Sequence, residues 1–324
     1  MRNDIQEVFG SVDHEMQQFR KEFDALVSSD VKMLQLILRY LFKKRGKQLR
    51  PLFVILSARM CGNVNEMTYR AAALIELLHT ATLVHDDVVD EADHRRGMFT
   101  VNALWKNKAA VLLGDYLLAT GLLSALDNDY FQLLKYVANA TRKMSEGELW
   151  QIQKARKLKP DEETYYKIIE YKTAVLFAVS FQCGAYSAGA DDKTMDAMYQ
   201  VGLNAGLAFQ IKDDILDFMP QQTGKSAYTD LKEQKLTLPV IHALNNSGFA
   251  EGVKYKNQLK QVRKKKRQPI EIVKWLEEKG SLEYAQQKVN YFTQKALDIL
   301  KDLPQGIDNL MIEKTINSLT SRNY

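Results

Sequence analysis

Two acidic clusters with one spacing carry the clearest chemistry in this 324-residue sequence. Asp86, Asp87 and Asp90 form DDVVD, and Asp213, Asp214 and Asp217 form DDILD. On a helix, residues four apart share a face. Asp86 therefore sits over Asp90 and Asp213 over Asp217, with Asp87 and Asp214 beside them. Carboxylates crowded in this way repel one another unless a cation is present. An all-oxygen donor set with room for water suits Mg²⁺. Both clusters interrupt apolar runs, TATLVHDDVV and GLAFQIKDDILDF, where uncompensated carboxylates would be costly. A shared metal-lined cavity, able to bridge to a polyanion such as a diphosphate, accounts for both.

Basic residues flank these clusters. Gly46-Lys47-Gln48-Leu49-Arg50 precedes a helix start, and Arg95-Arg96-Gly97 follows the first cluster. A GKxxR run alone reads equally as a solvated turn. Beside two metal clusters it points to a second phosphate site, held by cations, with arginine supplying forked donors. His79 lies about two helical turns before Asp86 and faces the same cavity. It reads as a phosphate donor or as a buried structural histidine, and His85 is open in the same way. Glu76-Leu-Leu-His79 also spells the ligand pattern of di-iron bundles, which use two copies on packed helices, but the other match, Glu91-Ala-Asp-His94, lies beyond the apolar helical run. Thr173, next to Lys172, and Gln210, one turn before Asp213, offer neutral oxygens that stabilise a cation without capturing it. Lys225 follows Gly224 in the loop after the second cluster and is placed to cover a phosphate. The basic run Arg263–Arg267 has no interleaved aromatic residue and reads as a solvated loop.

The elements that position these groups read as helices. Hydrophobic residues make up 46% of the chain, with only six prolines and 16 glycines, which favours long helices over a turn-rich β fold. Basic and acidic residues, 45 against 40, are mixed along the chain, which suits an anionic small substrate and not a nucleic-acid groove. Cys61 and Cys183 sit in apolar surroundings and read as buried thiols of a reducing compartment. The N-terminus is polar and acidic, unlike a signal peptide. Ala109–Leu126 comes closest to a membrane span, but Asp115 and two glycines make it a buried core helix. A cytoplasmic protein without stable membrane insertion is expected.

Apolar intervals of three and four predict a helix over 1–26. Asp30 is expected to cap a helix over 31–42, and Pro51 fits the first turn of the next, ending at Gly62. Long helices follow over 65–90, 101–126, 129–155, 161–188 and 191–218, then a loop over 220–230. Another starts at Leu238, and the polar remainder carries helices near 270–279, 281–302 and 306–320. No linker or repeat splits the chain, so one all-α domain spans 1–324.

RGKQLRP, ELLHTATLVHDDVVDEADHRRG, LLGDYLL, YKTA and FQIKDDILD with its following GK occur in this order. Through them the chain resembles the trans-isoprenyl (polyprenyl) diphosphate synthases over almost its whole length. The resemblance implies one large helical bundle around a central cavity, head-to-tail condensation of isopentenyl diphosphate with an allylic diphosphate, and a homodimer. It implies Mg²⁺, about three ions per site, at Asp86, Asp87, Asp90, Asp213, Asp214 and Asp217. Isopentenyl diphosphate would meet Lys47, Arg50, His79 and Arg96. The allylic diphosphate would meet Arg95, Lys172, Lys225 and Lys235, with Thr173 and Gln210 shielding the cation. Two glycines of the family's loop motifs are replaced here, by Tyr228 and Gln234.

A class I terpene cyclase usually pairs its aspartate cluster with an asymmetric Asn/Ser/Glu motif and needs no second diphosphate site. A non-catalytic synthase subunit would carry degraded aspartate motifs, and both are complete here.

Product length then depends on the residues beneath the first cluster. Ala81 and Thr82 precede Asp86 by five and four positions, where short-chain members often carry bulky aromatics. One helical turn is about 5.4 Å, so a small Ala81 lets the chain grow past this level, to more than C20 and about C30 to C45, as for a quinone side chain. Leu77, Leu78 and Leu74 are the deeper candidates for a floor. Ala81→Tyr is expected to shorten the product ladder on thin-layer radiochromatography, and an unchanged ladder would remove Ala81 from the ruler.

Overall fold

The computed structural model describes residues 2–95, 97–155, 161–219, 228–232, 235–265, 270–304 and 306–321. The first helices are α1 (Arg2–Ser11), α2 (Asp13–Leu26), α3 (Lys32–Phe42), α4 (Leu49–Cys61) and α5 (Glu66–Val89). A small antiparallel hairpin, β1 (His94–Arg95) with β2 (Met98–Phe99), precedes α6 (Val101–Leu126) and α7 (Phe131–Ala155). Then come α8 (Glu162–Ile169), a π-helical turn (Glu170–Ala174), α9 (Val175–Ser187) and α10 (Asp192–Asp217). The rest comprises α11 (Thr229–Lys232), α12 (Leu238–Asn245), α13 (Phe249–Lys265), α14 (Ile270–Glu278), α15 (Ser281–Lys301) and α16 (Ile307–Thr320). The all-α expectation holds.

α9 is apolar on every side, and a helix with no polar face must be enclosed. α4, α5, α7 and α10 pack around it. Glycines let two of them approach its backbone. A Cβ on Gly184 would lie 2.2 Å from the carbonyl oxygen of Val54 in α4, and one on Gly202 in α10 would lie 2.7 Å from Cα of Ala178. Phe53 stacks on Phe181 with ring centroids 4.7 Å apart, and the Ser57 hydroxyl donates to the Phe181 carbonyl at 2.6 Å.

The start of α5 is tied to the end of α9. Asn65 and Thr68 form a capping box, the Asn65 amide donates to the Ser187 carbonyl at 2.7 Å, and the Thr68 and Ser187 hydroxyls lie 2.8 Å apart. α6 runs along α5 at close range. A Cβ on Gly121 would meet Leu74 Cδ1 at 3.0 Å, and Gly114 packs under the His85 ring.

Several local expectations fail for local reasons. The N-terminal segment is two helices, broken at Val12. Asp30 does not cap α3, because Val31 takes the N-cap position without a side-chain bond. Asp129 adopts a left-handed φ of 58°, so α7 starts at Phe131. α13 was not foreseen, and it carries the basic run as far as Lys265 in helix instead of loop. Arg267 lies outside the described residues.

α6 is not enclosed as a buried core helix. It bends at Lys106 (φ 71°), and Leu112 and Leu123 are 68% and 56% exposed. By length and composition it is the one helix among the described residues that could cross a membrane. Both cysteines are unpaired. Burial pushes the Cys61 thiol up to about 11 and the Cys183 thiol higher still.

Candidate active site

Both aspartate clusters end long helices. Asp86 and Asp87 fill the last turn of α5 and Asp90 is its C-cap, while Asp213, Asp214 and Asp217 fill the last turn of α10. Within each cluster the middle aspartate behaves differently from the outer two. Asp87 is 6% exposed and its Oδ1 accepts from Arg95 Nε at 2.7 Å. Asp214 is 5% exposed, accepting from the Tyr165 hydroxyl at 2.7 Å and from Gln210 Nε2 at 2.8 Å. The outer pairs, Asp86 with Asp90 and Asp213 with Asp217, are half-buried or exposed. The sequence reading treated all six as equivalent ligands. The structure separates four that face outward from two that are turned into the bundle.

The π-helical turn carries Lys172 and Thr173, and glycines hold it between two helices. A Cβ on Gly147 of α7 would meet Tyr171 Cβ at 2.8 Å, and one on Gly206 of α10 would meet Ala174 Cα at 2.6 Å. Such turns recur at functional sites because the extra residue re-aims side chains. Here Lys172 points to α7, with its ammonium 2.5 Å from Glu148 Oε2. Thr173 points to α10, its hydroxyl donating to Gln210 Oε1 at 2.7 Å. Lys172, Thr173, Gln210, Asp214, Asp230 and Lys235 line one cavity. Lys172 is also the largest charged influence on Asp86, so it links the second cluster's cavity to the first cluster.

A second cavity lies against α5. Lys44, Arg45, Gly46, Gln48, His79 and Arg95 contribute its polar lining, with Phe23, Tyr40, Phe42 and Phe99 as aromatic walls. Arg50 Nη1 lies 2.9 Å from His79 Nε2. A guanidinium can only donate, so His79 Nε2 is the acceptor in this contact. The Arg50 guanidinium also lies over the Phe177 ring, 5.2 Å from its centroid. Lys47 is exposed beside this cavity. Arg96 and Lys225 lie outside the described residues. Leu77, Leu78 and Ala81 are fully buried on α5, and the half-buried Thr82 donates to the His79 carbonyl at 2.8 Å.

Four further groups belong to this site and carry no local signal in the sequence. Glu148 and Gln151 enter from α7, Tyr165 from α8, and Asp230 from α11. Asp230 donates its backbone N–H to Asp217 Oδ2 at 3.1 Å, and its carboxylate lies 3.6 Å from Lys235 Nζ. Tyr228, where the resembled family has glycine, takes a left-handed φ of 62°, a conformation that costs a non-glycine residue about 1–2 kcal/mol.

The electrostatics fit a cation. Burial pushes Asp86 up to about 6, with Lys172 and Arg95 pulling down and Glu148 and Asp90 pushing up. Burial, reinforced by Asp230, holds Asp214 well above the usual carboxylate range, and burial beside Asp214 keeps the Tyr165 hydroxyl protonated. Among the described residues no three ligating groups converge on one point. An ion here needs oxygens from water and substrate as well, which suits Mg²⁺, since it sheds its waters reluctantly.

A polyprenyl synthetase family model matches residues 31–278. The octaprenyl diphosphate synthase of Haemophilus influenzae is 34% identical over 323 residues, covering 99% of this chain and 98% of that protein. A crystal structure of a decaprenyl diphosphate synthase from Rhodobacter capsulatus superposes with a TM-score of 0.91 at 31% identity, covering 99% of each chain. One of a polyprenyl synthase from Caulobacter crescentus, complexed with calcium and isoprenyl diphosphate, gives 0.90 at 30% identity over 99% and 98% of the two chains.

Asp86 yields a test of the acidic end. A carboxyl with a higher pKa folded than unfolded binds its proton more tightly in the folded state. Its ionisation therefore removes stability as pH rises from about 4 to about 6. Asp86→Asn is expected to raise the Tm of the metal-free protein at pH 8, with the gain vanishing below pH 4. Equal Tm values for variant and parent at pH 8 in EDTA would show that Asp86 carries no such penalty.

Proposed function

We propose, for a chain that belongs to the polyprenyl synthetase family and is a trans-prenyltransferase making products longer than C20, that the cleft between the two aspartate clusters is where an allylic diphosphate is ionised. The observation that carries this reading is the pairing of outward-facing carboxylates at two helix ends, with Lys172 set between them. Asp86, Asp90, Asp213 and Asp217 are the residues that would hold Mg²⁺, about three ions in all, with Asp87 and Asp214 as inner support. When bound, the metal neutralises the diphosphate leaving group as charge develops on it.

The chain's own residues do the rest. Lys172, Lys235 and Arg95 add positive charge around the allylic diphosphate, where stabilisation counts most in the transition state. Lys47, Arg50 and His79 hold the isopentenyl diphosphate at the second cavity, with Lys44 and Arg45 nearby. The allylic C–O bond breaks, the new C–C bond forms to the isopentenyl double bond, and a proton leaves to the released diphosphate. Thr173 and Gln210 turn oxygens toward the cation. The apolar face of α5 beyond Ala81 receives the growing chain.

The exposed side of α6 supports a homodimer. Leu112 and Leu123 lie eleven residues apart, close to three turns, so they form one exposed apolar face. A second copy of the chain is the proposed cover. Leu112→Glu with Leu123→Glu is expected to turn a dimer into a monomer in sedimentation velocity, and a monomeric parent would remove the proposal.

The decisive experiment is product analysis with the purified protein, radiolabelled isopentenyl diphosphate, Mg²⁺ and C5 to C20 allylic primers. A polyprenyl ladder longer than C20 is expected, abolished by EDTA and restored by Mg²⁺. Absence of polymer with every primer would sink the reading.

A further inference from the structure

Three hydrogen bonds run inward from the cleft in an unbroken series. The Thr173 hydroxyl donates to Gln210 Oε1 at 2.7 Å, Gln210 Nε2 donates to Asp214 Oδ1 at 2.8 Å, and the Tyr165 hydroxyl donates to Asp214 Oδ2 at 2.7 Å. Tyr165 is 5% exposed and lines the cavity together with Thr173, Gln210 and Asp214, its hydroxyl turned to the Asp214 carboxyl.

The polarity of this series matters. An amide has a donor end and an acceptor end of nearly the same shape, so shape alone does not set which end faces the cleft. Asp214 decides it, because both of its oxygens accept, Oδ1 from Gln210 Nε2 and Oδ2 from the Tyr165 hydroxyl. Gln210 must turn its NH2 to Asp214, which leaves its carbonyl oxygen on the Thr173 side. With Asp214 swung away, the amide could flip and aim N–H groups at the cleft, the wrong dipole for a nascent carbocation. The Tyr165 hydroxyl holds the second carboxylate oxygen and so prevents that rotation.

We propose that Tyr165 is a positioning residue for prenyl transfer: through Asp214 it fixes the Gln210 amide so that its carbonyl dipole faces the allylic cation. This rests on the prenyltransferase reading above. It gives Asp214 a task distinct from that of Asp213 and Asp217, and it gives Tyr165 a task that runs through its bond to Asp214.

The test is a double-mutant cycle on Tyr165→Phe and Gln210→Ala, since Tyr165→Phe keeps the ring and removes only the hydroxyl. With isopentenyl diphosphate, a C15 primer and saturating Mg²⁺, Tyr165→Phe is expected to lower kcat about ten-fold and to leave both KM values within about two-fold. In the Gln210→Ala background the same change is expected to alter kcat less than about two-fold. A second readout needs neither substrate nor metal. Hydrogen exchange of the Gln210 side-chain amide, followed by selective ¹⁵N NMR, should be at least about ten-fold faster in Tyr165→Phe once that clamp is gone. Parental kcat, equal losses in both backgrounds, or unchanged exchange would each overturn the proposal. Polymer from the parent with an unaffected Tyr165→Phe sinks this inference alone. No polymer from the parent sinks the prenyltransferase reading and this inference together.

Discussion

Both acidic clusters sit at the negative ends of their helices, and the rest of the molecule is built to tolerate this. A helix C-terminus carries about half a negative charge and favours cations, each worth about 0.3–1 kcal/mol at an exposed site. α5 and α10 instead finish in three aspartates each. Two of the nearby cations among the described residues are already engaged: Arg95 with Asp87, and Lys172, although near Asp86, with Glu148. Crowded carboxylates at two helix C-termini therefore favour added cations at this end. Stability at this end has been exchanged for affinity, and packing elsewhere must resist the repulsion.

That packing works at the level of the backbone. α9 is enclosed on all sides, and Gly184, Gly202 and Gly206 allow contacts with α4 and α10 that any Cβ would prevent. The π-helical turn between α8 and α9 is clamped by Gly147 on one side and Gly206 on the other. Adjacent helical residues point about 100° apart, so Lys172 and Thr173 are sent in different directions, one toward the first cluster and one toward the second. The chemistry thus rests on two neighbouring side chains whose divergence is fixed by glycines on other helices. At the rim, Tyr228 accepts a left-handed backbone while packing against the apolar cluster around Trp275. Contact with a core replaces the conformational freedom that glycine would supply.

The parts legible in the sequence were those whose meaning is local. Spacing of four put the outer aspartates on one face, and Asn65, Thr100 and Asp191 mark helix starts through bonds to residues three positions on. What could not be read depends on distant placement. Asp87 has the same residue type and neighbours as Asp86, and only the hairpin that returns Arg95 makes it an inner group. Tyr165 and Glu148 look ordinary in their own helices and acquire roles from α10 and the π-helical turn. α13 escaped notice because its inward contacts are few, Leu259 and Val262 among mostly charged positions. Asp30 has the right chemistry for a cap, yet the backbone turns into α3 one residue later.

α5 joins the two demands of a polymerising site, because one rigid rod carries charge at one end and apolar surface along its length. Twelve residues separate Leu74 from Asp86, about 18 Å at 1.5 Å per residue. Ala81 lies between them, and Gly121 of α6 closes on Leu74 and Leu77 at the far end. A chain growing away from the aspartates along this face would meet its side chains in order, so depth along the helix stands for product length. Changes near Leu77 act on how far growth proceeds, while those near Asp86 act on whether ionisation occurs. The rigidity that α9 imposes keeps the two separable. A helix clamped along its length transmits little of a deep packing change to its acidic end, so product length can vary within one fold while the reaction stays the same.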